Sequence, residues 1–138
     1  MVRFEHVNIF VKDLTRALTF YQAAMPHWSV LRKGAGDWYG SPRQWIHFGD
    51  DYSYLAISDN GSGENRVLTS NTIGLAHIAF EISNMDALVY RLHHAGFEPC
   101  NLGADEPFRR NIYFIDPDGF EVEFVEYLSD LPQERNLT

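Results

Sequence analysis

The sequence is short of cysteine. Cys100 stands alone among 138 residues, so no internal disulfide can form, and its expected place is that of a small buried hydrophobe. No apolar run approaches the roughly 18–20 residues of a membrane helix. Met1 to Val11 lacks the basic and continuous apolar stretches of a signal peptide, being broken by Glu5, His6 and Asn8. A reduced, cytoplasmic protein is the expectation. Positive charge is in deficit, with 11 Lys and Arg against 19 Asp and Glu and a net charge of −8. That balance argues against nucleic acid or an anionic membrane as partner. A small anionic substrate stays open, because a local pocket can be basic on an acidic protein. Also absent are a phosphate-cradling glycine loop, a nucleophile elbow and a paired-cysteine zinc pattern. What is present is globular: 45% hydrophobic and 22% charged residues, enough for one ordinary domain or two very small ones.

An internal repeat decides between these. Glu5-His6-Val7-Asn8-Ile9-Phe10-Val11 matches Ala76-His77-Ile78-Ala79-Phe80-Glu81-Ile82, with the two histidines 71 residues apart. Both read as β-strands followed by helices. Asp13 caps the first, with Leu14, Ala17, Leu18 and Tyr21 on one face, and Pro26 marks its end. Asn84 caps the second, with Met85, Leu88, Leu92 and Ala95 on one face, and Gly96 stops it. Three strand candidates follow each helix: His27–Arg32, Arg43–Phe48 and Tyr52–Ser58, then Phe97–Leu102, Asn111–Ile115 and Phe120–Tyr127. Each half reads βαβββ. Asp59–Asn71, rich in Gly, Ser and Asn, is the linker. Two modules are expected, residues 1–68 and 69–138, the second carrying a polar tail.

Strand alternation then sorts the side chains. Val7, Ile9 and Val11 share one face, as do Ile78, Phe80 and Ile82, and Val122 and Phe124. These apolar faces suit packing against helices. The opposite faces carry His6, Asn8 and Phe10, then His77, Ala79 and Glu81, then Glu121, Glu123 and Val125. His6, His77 and Glu123 form a candidate metal site. Neutral imidazole donates a lone pair and carboxylate supplies compensating charge, leaving adjacent positions open for substrate, water or oxygen. The competing reading is two satisfied core histidines and a solvated acid.

The chain resembles the vicinal oxygen chelate superfamily, also called the glyoxalase/bleomycin resistance/dioxygenase superfamily. The resemblance rests on Phe4-Glu5-His6-Val7, Val11-Lys12-Asp13-Leu14 and Ala17…Phe20-Tyr21 in the first module. In the second it rests on Gly74-Leu75-Ala76-His77-Ile78-Ala79-Phe80 and on Ile112-Tyr113-Phe114-Ile115-Asp116-Pro117-Asp118-Gly119-Phe120-Glu121-Val122-Glu123-Phe124. The last stretch is similar to the family's F-x-D-P-D-G-x-x-x-E-hydrophobic motif, a tight turn leading into the strand that presents Glu123. The resemblance implies an α+β fold of two βαβββ modules forming a curved mixed β-sheet cavity with helices outside, and a homodimer. It also implies a divalent ion (Fe, Mn, Ni or Zn) on His6, His77 and Glu123, because metal-dependent members take a histidine from the first strand of each module and a glutamate from the last. The first-module glutamate is missing; its counterpart falls on Leu55, Ala56 or Ile57. That puts a four-ligand glyoxalase I site in doubt and leaves a three-ligand site, as in extradiol dioxygenases and fosfomycin-modifying enzymes. The extradiol pattern also lacks its second histidine, since Ala104, Asp105 and Glu106 stand where it belongs.

Tyr113, His47 and Glu121 are the candidates for proton handling. His47 echoes Tyr113 in the first module and can equally be a half-buried strand histidine; Tyr113 can equally be a core aromatic. Arg109-Arg110 suits an anionic substrate group or a solvated loop. His93-His94, late on a helix, and His27 are expected at the surface. Lys33–Arg43, with three glycines and two aromatics, is expected as a loop or interface. The leading expectation is a metal-dependent lyase, isomerase or dioxygenase acting on a small oxygen-rich metabolite. Its rival is a non-catalytic, bleomycin-resistance-like binder of an aromatic or cationic compound, kept open by the acidic charge and by Trp38, Tyr39 and Trp45.

Overall fold

The computed structural model describes residues 1–137, and the chain divides into two compact units, Met1–Glu64 and Asn65–Thr138. Unit 1 runs β1 (His6–Phe10), α1 (Leu14–Ala24), β2 (Ser29–Trp38), β3 (Ser41–Gly49) and β4 (Tyr54–Ser58). Its sheet has the order β1-β4-β3-β2, with β1 parallel to β4 and the other pairs antiparallel. Unit 2 runs β5 (Ile78–Glu81), α2 (Met85–His94), β6 (Arg109–Ile115), β7 (Glu121–Tyr127) and the short α3 (Pro132–Arg135). Its sheet is β5-β7-β6, again with the first strand parallel to its neighbour. The architecture is α+β, with the helix after the first strand of each unit as the repeat requires.

Burial follows the alternation of side chains. In unit 1, Ile9, Ile46, Phe48, Leu55 and Ile57 are buried from the sheet, and Ala17, Phe20, Tyr21 and Ala24 from α1. In unit 2 the interior holds Met85, Leu88 and Leu92 from α2, with Ile112, Phe114, Val122 and Phe124 from the strands. Both helices begin as their sequences dictate. The Asp13 carboxylate accepts from the Arg16 N–H at 2.7 Å, and the Asn84 side chain from the Ala87 N–H at 3.1 Å. Glu126 on β7 adds a second anchor to α2 by accepting from the Asn84 N–H at 2.6 Å.

The turn before β7 explains the acidic motif there. Asp116 is 4% exposed, and its carboxylate accepts from the N–H groups of Asp118 (2.8 Å) and Phe120 (2.9 Å). Gly119 closes the turn at φ +83°, where a side chain would be strained. The equivalent turn in unit 1 is one residue tighter: Asp50 accepts from Tyr52 and Ser53, both at 2.9 Å. Those donors hold its carboxyl below the usual range.

Three expectations are corrected. Lys33–Arg43 is not a loop. It forms the end of β2, a two-residue turn at Tyr39-Gly40 with φ of 50° and 78°, and the start of β3. Positive φ at both central residues suits the right-handed twist of a hairpin. Phe97–Leu102 is not a strand. Only Asn101 pairs with β6, through an isolated bridge to Tyr113, because Pro99 has no N–H to donate and the chain turns away at Gly103. Cys100 is exposed rather than buried, in a segment tied to β6 only by the hydrogen bonds of Cys100 and Asn101 with Tyr113.

Candidate functional site

The parallel pairing of first and last strands positions the candidate residues in each unit. In unit 2, β5 and β7 align Ala79 with Glu123, and β6 and β7 align Tyr113 with Glu123. Glu123 is only 5% exposed, on the face opposite Val122 and Phe124. Its Oε2 lies 3.1 Å from His77 Nε2. Its Oε1 accepts from Arg109 at 3.2 Å and from the Asn111 amide at 3.1 Å. Glu121 approaches the other ring nitrogen of His77, Nδ1, at 3.8 Å. The Tyr113 ring meets His77 edge-on with centroids 5.6 Å apart. Burial first, then the charges of Glu123 and Glu121, push the Tyr113 phenol up, so it stays protonated around neutral pH.

In unit 1 the same register aligns His6 with Tyr54, Asn8 with Ala56, and His47 with Ala56. The unit 1 counterpart of Glu123 is therefore Ala56, and that of Tyr113 is His47. The His6 ring stacks on Tyr54 at 4.6 Å, and Tyr54 on His47 at 4.3 Å. Glu5 receives both His6 Nδ1 (2.8 Å) and the Tyr54 hydroxyl (3.1 Å). Burial, Arg32, His6 and Arg43 together lower the His47 pKa against the smaller pull of Glu5. Its imidazole is therefore neutral at pH 7 and available to accept a proton.

The residues expected at a metal thus fall into two groups. His77 and Glu123 come together in unit 2, and His6 belongs to unit 1. Two donors about 2.1 Å from an ion and at right angles stand about 3.0 Å apart, so the 3.1 Å between Nε2 and Oε2 fits adjacent ligands. A neutral imidazole and a buried carboxylate are also the right chemistry for a divalent transition ion. Among the described residues, no three His, Cys, Asp or Glu side chains are grouped to hold an ion.

Arg109 is not a free substrate anchor: it holds Glu123 and stands 3.2 Å from Glu106, without hydrogen-bond alignment at Nε. Arg110 pairs with Asp86 at 3.1 Å and Glu126 at 3.6 Å. His93 and His94 are exposed, with ring partners Glu98 and Tyr90. Sequence reasoning missed the grip of Arg109 and Asn111 on Glu123. Strand alternation puts both on the Tyr113 face, so that signal was present.

These two sheets, each with a parallel outer pair and its helix between first and second strands, define a class. The chain belongs to the glyoxalase/bleomycin resistance protein/dioxygenase superfamily, whose family model matches residues 3–124. A comparison with curated proteins finds no match. Among solved structures, the chain is similar to a glyoxalase family protein from Bacillus cereus, at 19% identity and TM-score 0.76, covering 94% of this chain and 96% of that one. It is similar to the fosfomycin resistance protein FosX from Listeria monocytogenes, solved with Mn(II) and sulfate, at 24% identity and TM-score 0.65 over 98% of both chains. It is also similar to TnmS3, an antibiotic binding protein from Streptomyces, at 17% identity and TM-score 0.64, covering 92% and 97%.

Proposed function

We propose that this chain is a divalent-metal-dependent enzyme acting on a small oxygen-rich metabolite, with His6, His77 and Glu123 as the ligands of the ion. The observation that carries the reading is the buried Glu123 carboxylate 3.1 Å from His77 Nε2, at the spacing of adjacent ligands. When bound, an Fe, Mn, Ni or Zn ion supplies a Lewis acid for two neighbouring oxygens of the substrate. The FosX relative, solved with Mn(II), supports a divalent ion in general. Tyr113, held protonated, donates a hydrogen bond to a developing oxyanion. His47, held neutral, accepts a proton. Glu121 stands 3.8 Å from Nδ1 of His77, beyond hydrogen-bond reach but near enough for its charge to act on the ring. Isomerisation, epimerisation, addition and oxygenation all use such groups.

Protein purified without chelator or metal-affinity tag is expected to carry close to one transition ion per chain by elemental analysis. His77→Ala and Glu123→Gln, folded by circular dichroism, lose it. Wild-type protein that takes up no Mn, Fe, Ni or Zn on titration overturns the reading.

One observation favours a second reading, a non-catalytic binder. Unit 1 replaces the acid at the position of Glu123 by Ala56 and lines that face with the stacked rings of His6, Tyr54 and His47. The antibiotic-binding relative TnmS3 shares the fold. Small-molecule binding that is indifferent to metal distinguishes it.

A further inference from the structure

The face of the unit 1 sheet opposite its buried core has a composition of its own. Pairing puts Arg32 beside His47, Gly34 beside Trp45, and Gly36 beside Arg43. It puts Trp45 beside Ser58 and His47 beside Ala56. Along this face Arg43, Trp45 and His47 stand on β3, between the small residues Gly34 and Gly36 of β2 on one side and Ala56 and Ser58 of β4 on the other. A Cβ on Gly34 would fall 2.6 Å from the Trp45 ring, so the indole lies against the β2 backbone. A Cβ on Gly36 would meet nothing within 4 Å. Beside the indole lies a cavity of about 270 Å³ whose walls include Asn8, Arg32, Arg43, Trp45, His47 and Ser58. That is the scale of one small metabolite rather than a drug-sized ligand.

Two guanidinium groups flank the same indole. The Cζ atoms of Arg32 and Arg43 each lie 5.9 Å from the Trp45 ring centroid, and Arg43 lies 4.4 Å over Trp38. Arg109, Arg110 and Arg135 all sit against carboxylates. Among the described residues, Arg32 and Arg43 have no such partner. Arg43 donates to the Ser58 hydroxyl at 2.6 Å, while its Nε is buried without a hydrogen-bond acceptor. Gathering unpaired cations costs free energy that a bound anion recovers.

We infer that this cavity binds the carboxylate of a small planar conjugated or aromatic acid, with the guanidinium groups of Arg32 and Arg43 taking the charge and the indole of Trp45 taking the π-face. Guanidinium matches carboxylate through paired N–H donors, Asn8 and Ser58 offer further hydrogen bonds, and indole offers a stacking surface. The inference rests on the reading of the chain as a small-molecule protein. It deepens that reading by naming the charged end of the substrate, and it counts against a cationic compound as the ligand.

The test is a titration of tag-free full-length protein with cinnamate, followed by tryptophan fluorescence and calorimetry, with EDTA and separately with Mn(II). Cinnamamide and cyclohexanecarboxylate are the neutral and non-planar controls. Cinnamate is expected to saturate one site at least tenfold more tightly than either control and to weaken with added salt. Arg43→Gln and Arg32→Gln should each weaken it about tenfold or more, the loss of a charge-assisted hydrogen bond. Arg32 is exposed, so Arg32→Gln keeps the test valid if Arg43→Gln fails to fold. Equal binding of the amide, indifference to both arginine variants, or no saturable binding in either condition overturns the inference. Metal content measured on the same samples tests the ion separately. Cinnamate binding without metal uptake defeats only the enzyme reading, and metal uptake without cinnamate binding defeats only this one.

Discussion

Glu123 and Ala56 occupy the same place in two copies of one module, and the difference between them sets what each unit can do. Glu123 is held by His77, Arg109 and Asn111, so its position does not depend on an ion. Arg109 places a positive charge beside a carboxylate expected to receive a cation. Arg109→Gln is therefore expected to tighten Mn(II) binding several-fold in calorimetry, because like-charge repulsion disappears. The same variant should lower stability by about 1–3 kcal/mol in urea melts, since a buried carboxylate loses a charged donor. His47 gives a pH dependence. Its folded pKa lies below the ordinary value of about 6.5, so as pH falls the unfolded chain takes up this proton first. Stability contributed at this position is present above about pH 6.5 and is lost as pH drops toward the lower folded pKa. His47→Asn should show a smaller decrease in Tm between pH 7.5 and 5.5 than the parent.

At the scale of elements, the two Asp-led turns carry comparable hydrogen bonds in different surroundings. Asp116→Ala removes the acceptor of two backbone N–H groups from a position 4% exposed and should cost about 2–4 kcal/mol. Asp50→Ala removes two similar bonds at an exposed turn, where water replaces the acceptor, and should cost about 1 kcal/mol. Urea unfolding of both variants makes the comparison. Elements with alternating or helical periodicity were legible from the residues: β1, α1, β5, α2 and β7 all begin and end within a few positions of their sequence limits. The glycines of Lys33–Arg43 misled. They read as loop residues, yet Gly34 lies in a strand because Trp45 crosses over it. Phe97–Leu102 misled in the other direction, since it meets β6 only at the Asn101–Tyr113 bridge and forms no continuous ladder.

For the molecule as a whole, the repeat was the most informative feature of the sequence, because it showed two modules and set His6 and His77 in register, while Glu123 was reached through strand alternation and the turn motif before it. It also pointed away from what is unique to one copy. Arg43 stands where Arg109 does in the second module, given the equivalence of His47 and Tyr113, but Arg32 lies on β2, a strand without a counterpart among the described residues of unit 2; the two share a face only through the pairing of β2 with β3, which shifts register between Val30 and Arg32. No pattern in the linear chain shows that shift. If the chain binds an ion as proposed, Mn(II) at about a hundredfold excess over its Kd should stabilise it by about 2.7 kcal/mol, read as a rise in Tm that EDTA reverses. No described helix is long and apolar enough to cross a membrane.

The cavity in unit 1 owes its shape to Ala56, which lines it, and to Gly34, which lies against the Trp45 indole, residues with a methyl or a hydrogen where others have a longer side chain. An alanine scan passes over such a floor. Ala56 is already alanine. Gly34→Ala alone registers, by pushing the indole off the strand. Mutagenesis that only truncates would map the walls of this site and leave its depth unrecorded. Enlarging substitutions at Ala56 are the ones that measure how far a ligand reaches.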